Sequence, residues 1–404
     1  MSLSLAVISD IHVGKGSRAQ DLCPAGLDKV DKQYVTKFLD FVQRRALRAD
    51  YLLIPGDITD EAQPNEVETA SNFVLAAAKA LQIEATGVMV VPGNHDVDWK
   101  VLGLEDTTGV RRAQRYDPLR STRFCFDPIL CNGARSLLDQ PYFRTWQYDD
   151  LLVCGYNSSH HDDPNKQHVG LLDPSHVESL RKALAGIPHD TRKVRLFLIH
   201  HHPIQYTNPA AEPLDQSILV NAEELRRILS EFHFDIVVHG HKHFPRFSTC
   251  STEGTAEVAI LCAGSFSAEI ETRWSGVISN QFHLLTIDGR DSSDGVVQGN
   301  VKSWTYVSSR GWEPSNKMAN GIPHIERFGS YVRPDKLKAY LRPILAKRFK
   351  VSDYAEWSVL AQRYQRLSHL RPEVIMVVLD ELGRSMGFRR HGDDPDRMVL
   401  LKDG

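Results

Sequence analysis

Short apolar runs alternate with stretches of helical spacing along the first two-thirds of this chain. Leu3 to Ser9 is a run of strand length, and Val30 to Leu47 sets Val30, Tyr34, Phe38, Phe41 and Val42 on one helical stripe. Tyr51 to Pro55 and Val88 to Pro92 read as strands on either side of a helix over Glu66 to Leu81. Further on, Leu151 to Tyr156, Arg195 to Ile199, Ile236 to His239 and Val258 to Cys262 read as strands. Helices are predicted between them at Pro174 to Ala185 and Ala222 to Glu231. Alternation of this kind predicts an α/β protein with helices layered on central sheets.

Two regions break the rhythm. Asp98 to Asp150 is rich in arginine and aromatics and has no clear period, so it reads as an insertion or cap over one end of the sheet. Trp304 to Ile325 is rich in Gly, Ser, Asn and Pro, and Pro334 to Met386 then reads as two or three helices. The expected organisation is a main domain over 1–300, with the insertion at about 98–150, and a linker with a small helical C-terminal region over 301–404. The stripe Leu337, Tyr340, Leu341, Ile344 and Leu345 is expected to pack against the main domain.

Composition narrows the picture only slightly. A formal net charge of -3 argues against a global field that would attract nucleic acid or membrane. No apolar run approaches the ~20 residues of a membrane span. The first ten residues lack the basic start of an export signal, so the six scattered cysteines are expected to be free thiols in a reducing cytoplasm.

The chemistry lies at the predicted strand ends. The first strand runs into Ser9-Asp10-Ile11-His12, the second into Gly56-Asp57-Ile58-Thr59-Asp60 and the third into Gly93-Asn94-His95-Asp96. Arg195 to Ile199 runs into His200-His201-His202-Pro203, and Ile236 to His239 into Gly240-His241-Lys242-His243. Each cluster alone has a bland reading as a turn, a helix cap or a solvated loop. Functional residues of open α/β sheets collect at the carboxyl ends of strands, so five such clusters predict one shared metal site.

The series D-x-H, G-D-x-x-D, G-N-H-D, H-H-x-P and G-H-x-H resembles the calcineurin-like metallophosphoesterase superfamily over roughly residues 3 to 290. The H-H-x-P form is closest to the class III cyclic nucleotide phosphodiesterase branch. The resemblance implies a four-layer αββα sandwich of two mixed sheets and two metal ions, Mn, Fe or Zn. One metal would take Asp10, His12, Asp57 and His243, and the other Asp57, Asn94, His200 and His241, with Asp57 bridging. His95 matches the family's catalytic histidine, Asn94, His95 and His201 would face substrate, and Asp60 or Asp96 would orient a histidine from behind.

What this implies is hydrolysis of a phosphodiester or phosphomonoester by a metal-activated hydroxide, with a nucleotide-type phosphodiester favoured. The first alternative is a nuclease. Ten basic residues between Arg333 and Arg371 are opposed in that stretch by Asp335, Asp353 and Glu356 alone, with Tyr340, Phe349, Tyr354, Trp357 and Tyr364 interleaved. Arginines of the insertion (Arg111, Arg112, Arg115, Arg120 and Arg123, with Tyr116, Phe124 and Phe126) are a candidate phosphate clamp or base-stacking surface. A non-catalytic scaffold is the remaining class, and it would be expected to lack ligands that are all present here. His160 and His161 follow a strand end but match no motif.

Overall fold

A computed structural model describes the chain except residues 1, 25, 103–113, 121–137, 139–140, 163–168, 206–216, 251–256, 271–277, 316–320, 365–366 and 404. The apolar runs become strands buried on both faces. In β1 (Leu3–Val7), β2 (Tyr51–Ile54) and β3 (Val88–Val90), alternate residues Ala6, Leu52, Ile54, Val88 and Val90 join one core with the helices Tyr34–Arg44 and Pro64–Ala80. Their neighbours Leu5, Val7, Leu53 and Met89 point the other way and are also buried. Parallel strands covered on both faces produce such near-continuous apolar runs.

The second sheet repeats the device. β4 (Phe143–Gln147), β5 (Leu151–Tyr156), β6 (Val194–Ile199), β7 (Ile236–His239), β8 (Arg246–Cys250) and β9 (Val258–Cys262) lie in the order β4-β5-β6-β7-β9-β8. β5, β6, β7 and β9 are parallel, whereas edge strands β4 and β8 are antiparallel to their neighbours. Cys154, Phe197, Ile199, Val237 and Ile260 pack with the helices Pro174–Ala185 and Ala222–Glu231. A Cβ built on Gly155 would stand 3.0 Å from Val91 just beyond β3, so the inner faces of the two sheets meet. The result is helix, sheet, sheet, helix.

The first sheet continues through β10 (Gln281–Arg290), β11 (Val297–Val307) and β12 (Gly311–Pro314), in the order β12-β11-β10-β1-β2-β3. These strands escape a hydrophobic pattern because polar side chains occupy buried positions. Gln281 donates to Thr305 (3.0 Å) and Ser315 (2.9 Å), while the His283 ring meets Ser303 (2.8 Å) and the Ala263 carbonyl (2.6 Å). Satisfied cross-strand partners make such positions tolerable in a core. The expected linker Trp304 to Ile325 thus contributes β12 and the end of β11.

The chain divides into two compact units. One comprises Leu3–Leu285 and Ser303–His324, and the other chiefly Thr286–Lys302 and Ile325–Gly404. In the second unit β13 (Ile325–Phe328) pairs antiparallel with the start of β11. Helices Pro334–Arg348, Trp357–Arg363 and Pro372–Met386 are joined by an antiparallel sheet of β14 (Tyr354–Glu356), β16 (Val399–Lys402) and β15 (Phe388–His391). The expected small helical C-terminal region thus also carries a short three-stranded sheet. These strands are three or four residues long and carry several charges, too little for an alternation to show. Leu337, Leu341 and Leu345 join Trp357, Ile375, Leu379 and Leu400 in a core of this unit's own, and Tyr340 is exposed.

Candidate metal centre

Five strand-to-turn junctions bring their polar residues together beyond the C-terminal ends of β1, β2, β3, β6 and β7. The backbone at these turns is unusual. Asp10 (φ 49°), His12 (φ 50°), Asp57 (φ 50°), His241 (φ 71°) and His243 (φ 52°) all sit in the left-handed region. Each such non-glycine residue costs on the order of 1–3 kcal/mol, and strain of this kind persists where surrounding structure over-determines it, commonly at functional sites. Two motif glycines permit the close approach. A Cβ on Gly56 (φ 95°) would fall 2.5 Å from His200 Nδ1, and one on Gly93 would fall 2.2 Å from Asp57 Oδ1.

Two donor sets share Asp57. Asp10, His12, Asp57 and His243 offer ligand atoms within 4.8 Å of one another, and so do Asp57, His200 and His241. In the first set His12 Nε2 lies 3.0 Å from His243 Nε2 and 3.6 Å from Asp57 Oδ2, and His243 Nε2 lies 3.3 Å from Asp10 Oδ1. In the second, His200 Nε2 lies 3.2 Å from Asp57 Oδ2, 3.0 Å from Asn94 Oδ1 and 3.2 Å from His241 Nδ1. Asn94 therefore faces the second set. The other Asp57 oxygen accepts from the His95 amide at 2.9 Å, which fixes the carboxylate between the sets.

The lone pairs test whether cations fit. His200 Nδ1 donates to the Pro55 carbonyl at 2.7 Å, so neutral His200 turns an Nε2 lone pair toward a carboxylate, an amide oxygen and a second imidazole. Lone pairs facing one another in a buried site repel unless a cation lies between them. A proton can play that part: burial alone would lower the His200 pKa, but the Asp57 carboxylate outweighs it and raises the group to about 9. Burial would likewise raise the Asp57 carboxyl, yet His200, His95 and His12 around it hold it well below the usual range. Burial, with His201 and His200 as neighbours, pushes His241 well down, which keeps its ring neutral. Imidazole and carboxylate donors of this kind suit Mn, Fe or Zn, so the residues fit two metal ions.

The other predicted residues surround this pair. His95 is partly exposed; its Nδ1 donates to the Asp60 carbonyl at 2.9 Å, and its ring lies 4.7 Å from that of His12. The Asp60 carboxylate stands 3.7 Å from His12 Nδ1 and 3.9 Å from His95 Nδ1, and accepts from the Gly16 amide. Asp96 accepts from backbone amides and from the Thr59 hydroxyl (2.9 Å), and no hydrogen bond to a histidine is seen among the described residues. The amides are those of Thr59 (2.9 Å), Gly93 (2.8 Å) and Ile58 (3.3 Å), tying the second and third turns together. Burial and the nearby Asp57 charge raise its carboxyl to about 6.

All three histidines of the triplet are fully buried. His201 Nδ1 meets the Ser158 hydroxyl at 2.8 Å, and its ring lies 4.4 Å from that of His241. His202 stacks toward His241 at 6.4 Å and lies 6.1 Å from His239. The triplet thus belongs to one imidazole layer. Sequence reasoning did not single out Ser9, whose hydroxyl donates to Asp10 (2.5 Å), nor Thr59 and Ser158. Ser158 lies two residues past the Tyr156 end of β5, so the strand-end rule that found the histidines could have found it.

The insertion reads differently from the expected clamp where it is described. Arg115 is buried, donates to the carbonyls of Asp162 (3.1 Å) and His160, and packs on Tyr116. Arg120 bonds Asp117 and the Leu138 carbonyl. Neither serves as a free phosphate-binding group. Arg111, Arg112, Arg123, Phe124 and Phe126 lie outside the described residues. Cys23, Cys154, Cys250 and Cys262 are free thiols. Among the described residues no helix is long and apolar enough to cross a membrane.

Comparison with known proteins agrees with the motifs. Among solved structures, the chain resembles a purple acid phosphatase from yellow lupin (Lupinus luteus) seeds at 13% identity and a TM-score of 0.46, covering 77% of this chain and 52% of that one. A putative 5'-nucleotidase from Staphylococcus aureus matches at 13% identity and 0.39, covering 86% and 58%. A predicted phosphoesterase from Streptococcus pneumoniae matches at 13% and 0.30, covering 78% and 94%. The chain thus spans about half the length of the lupin protein, and identity this low carries no information about substrate. No curated protein matches. The calcineurin-like phosphoesterase model matches residues 3–245, which hold all five strand-end motifs, and the chain belongs to that family.

Proposed function

We propose that this protein is a dinuclear-metal-dependent phosphoester hydrolase acting on a nucleotide-type phosphodiester. The observation that supports it most is the sharing of Asp57 between two donor sets. Asp10, His12, Asp57 and His243 would hold one ion, and Asp57, Asn94, His200 and His241 the other. Two ions so held would lower the pKa of a bound water and offset charge on the phosphoryl oxygens.

The chain's own residues have distinct tasks in this reading. Asp57 is clamped by the His95 amide, so its second oxygen is aimed at both imidazole sets before substrate arrives. His200 and His95 each spend Nδ1–H on a backbone carbonyl, which fixes the ring orientation and directs Nε2 toward the site. His95 is partly exposed, and in its doubly protonated form it can give the Nε2 proton to a leaving oxygen. His201, held by Ser158, would stand beside the substrate-facing side of His241.

The choice of a diester over a monoester rests on the H-H-x-P form. The test is a panel with Mn-loaded protein: bis-p-nitrophenyl phosphate, p-nitrophenyl phosphate, the two kinds of cyclic nucleotide, and single-stranded DNA. Faster turnover of the diester and the cyclic nucleotides supports the reading, and faster turnover of the monoester overturns the substrate class. The nuclease reading loses ground in the C-terminal unit. Lys338 pairs with Glu381, Arg371 pairs with Glu326 and Glu373, and Phe349 and Trp357 are core. Acids outside the stretch thus pair with two of the ten bases that looked unopposed.

A further inference from the structure

A second, smaller histidine cluster lies outside the five motifs. His160, on the turn after β5, shares a site with Asp173 and His176 at the start of helix Pro174–Ala185, and their ligand atoms lie within 4.8 Å of one another. His160 Nδ1 donates to the Asn157 carbonyl at 2.7 Å, which leaves the lone pair on Nε2. That nitrogen is buried and has no hydrogen-bond partner among the described residues, and it stands 3.9 Å from Asp173 Oδ2. Burial holds the ring neutral, with its pKa pushed down to about 3. A buried neutral imidazole with one nitrogen tied to a carbonyl and the other bare is the arrangement of a metal-ligating histidine.

We propose that His160, Asp173 and His176 form a third metal site, for a divalent ion of the zinc class. The donor set of two imidazoles and a carboxylate is one that zinc takes, with bonds of about 2.0–2.2 Å. Ligands on a tetrahedron of that size stand ~3.3 Å apart, so the present 3.9 Å between His160 and Asp173 needs only a small closure. Asp173 is arranged for the task. Its Oδ1 is engaged in capping the helix through Ser175, while Oδ2 points at the cluster and accepts from His161 Nε2 at 2.7 Å. His161 is the positioning residue for that carboxylate. The backbone of the turn is held by the buried Arg115 guanidinium, which donates to the carbonyls of His160 and Asp162. Bound metal would join the turn that carries Ser158, the partner of His201, to the helix that follows it.

The test is zinc stoichiometry in the full chain, stripped with chelator, reloaded with Zn²⁺ and dialysed. His160→Asn and His176→Gln are each expected to hold one equivalent fewer than the parent, while hydrolysis of bis-p-nitrophenyl phosphate stays within about two-fold. The same pair is made in Asp57→Ala, where one zinc equivalent should remain and disappear when either histidine is replaced. Because the result is a difference from each parent, it stands whether or not Asp57 bridges two ions. Melting temperature in chelator shows that each variant is folded, and zinc should raise it in Asp57→Ala but not in the double variants. Zinc content unchanged by both His160→Asn and His176→Gln, in both backgrounds, overturns the proposal.

Discussion

The strand-end turns and the C-terminal unit show opposite ways of spending stability. At the turns, left-handed backbone at five ligand candidates and a buried layer of imidazoles cost free energy that apolar packing elsewhere must offset. The C-terminal unit has a conventional interior of Leu337, Leu341, Leu379, Leu382 and Trp357, with surface ion pairs such as Lys338–Glu381 and Arg390–Asp380 around it and one buried pair, Glu326–Arg371. The first arrangement is explained by chemistry and the second by burial. Local strain together with buried polar groups therefore sets the candidate metal centre apart from the C-terminal unit without reference to any motif.

The contrast can be broken most severely at Asp57. Asp57→Ala should lose both ions and all measurable turnover, well beyond the ~10–100-fold that loss of an outer partner costs. His12→Ala should weaken one ion only. Two metal equivalents retained by Asp57→Ala, measured by elemental analysis, would end the bridging assignment.

His95→Ala should keep both ions and lose ~10²–10⁴ in kcat, with a smaller loss for p-nitrophenolate than for an alkoxide leaving group. Metal loss in this variant would place His95 among the ligands. Asn94→Ala should act through occupancy, with excess Mn restoring part of its activity. Asp60→Asn leaves the carbonyl that holds His95 but weakens the contact with His12, so a loss of ~10–100-fold in affinity for one ion is expected.

In the C-terminal unit the same size of change should register as stability. Leu379→Ala deletes a fully buried side chain and should cost ~2–5 kcal/mol by denaturant unfolding, with metal content unchanged. Altered metal content in this variant would mean that the contrast between the regions is not as sharp as drawn.

The smallest effect is a pH slope. Burial raises the Glu326 carboxyl to about 7, although Arg371 beside it pulls the other way. A carboxyl raised in the folded state favours folding below its unfolded pKa of about 4.5, and that contribution is lost as pH rises through 7. Glu326→Gln should therefore flatten the fall in melting temperature between those values. An unchanged slope would show that Glu326 stays ionised throughout.

Much of this molecule was legible in its sequence. The helices Pro174–Ala185 and Ala222–Glu231 and the strands β5, β7 and β9 follow directly from apolar spacing. Strand-end Asp, Asn and His mark the candidate ligands, because a parallel strand buried on both faces leaves its C-terminal turn as the first place a polar side chain fits. β10 and β11 were hidden because Gln281 and His283 find their partners, Thr305 and Ser303, only across strands, and the charged short strands β14 to β16 carry no alternation.

By itself the sequence determined which residues could ligate metal and that they follow strands. Tertiary structure alone decided that Asp57 lies between two sets, that Asp96 ties turns and Asp60 faces His12 and His95, and that Arg115 is an anchor and not a clamp. It also brought His160 to Asp173 and His176. The physical reason is common to all of these. Local pattern encodes which face of an element is apolar, whereas the partner of a buried polar atom is set by distances between elements far apart in the chain, and lone pairs and protons must be matched there.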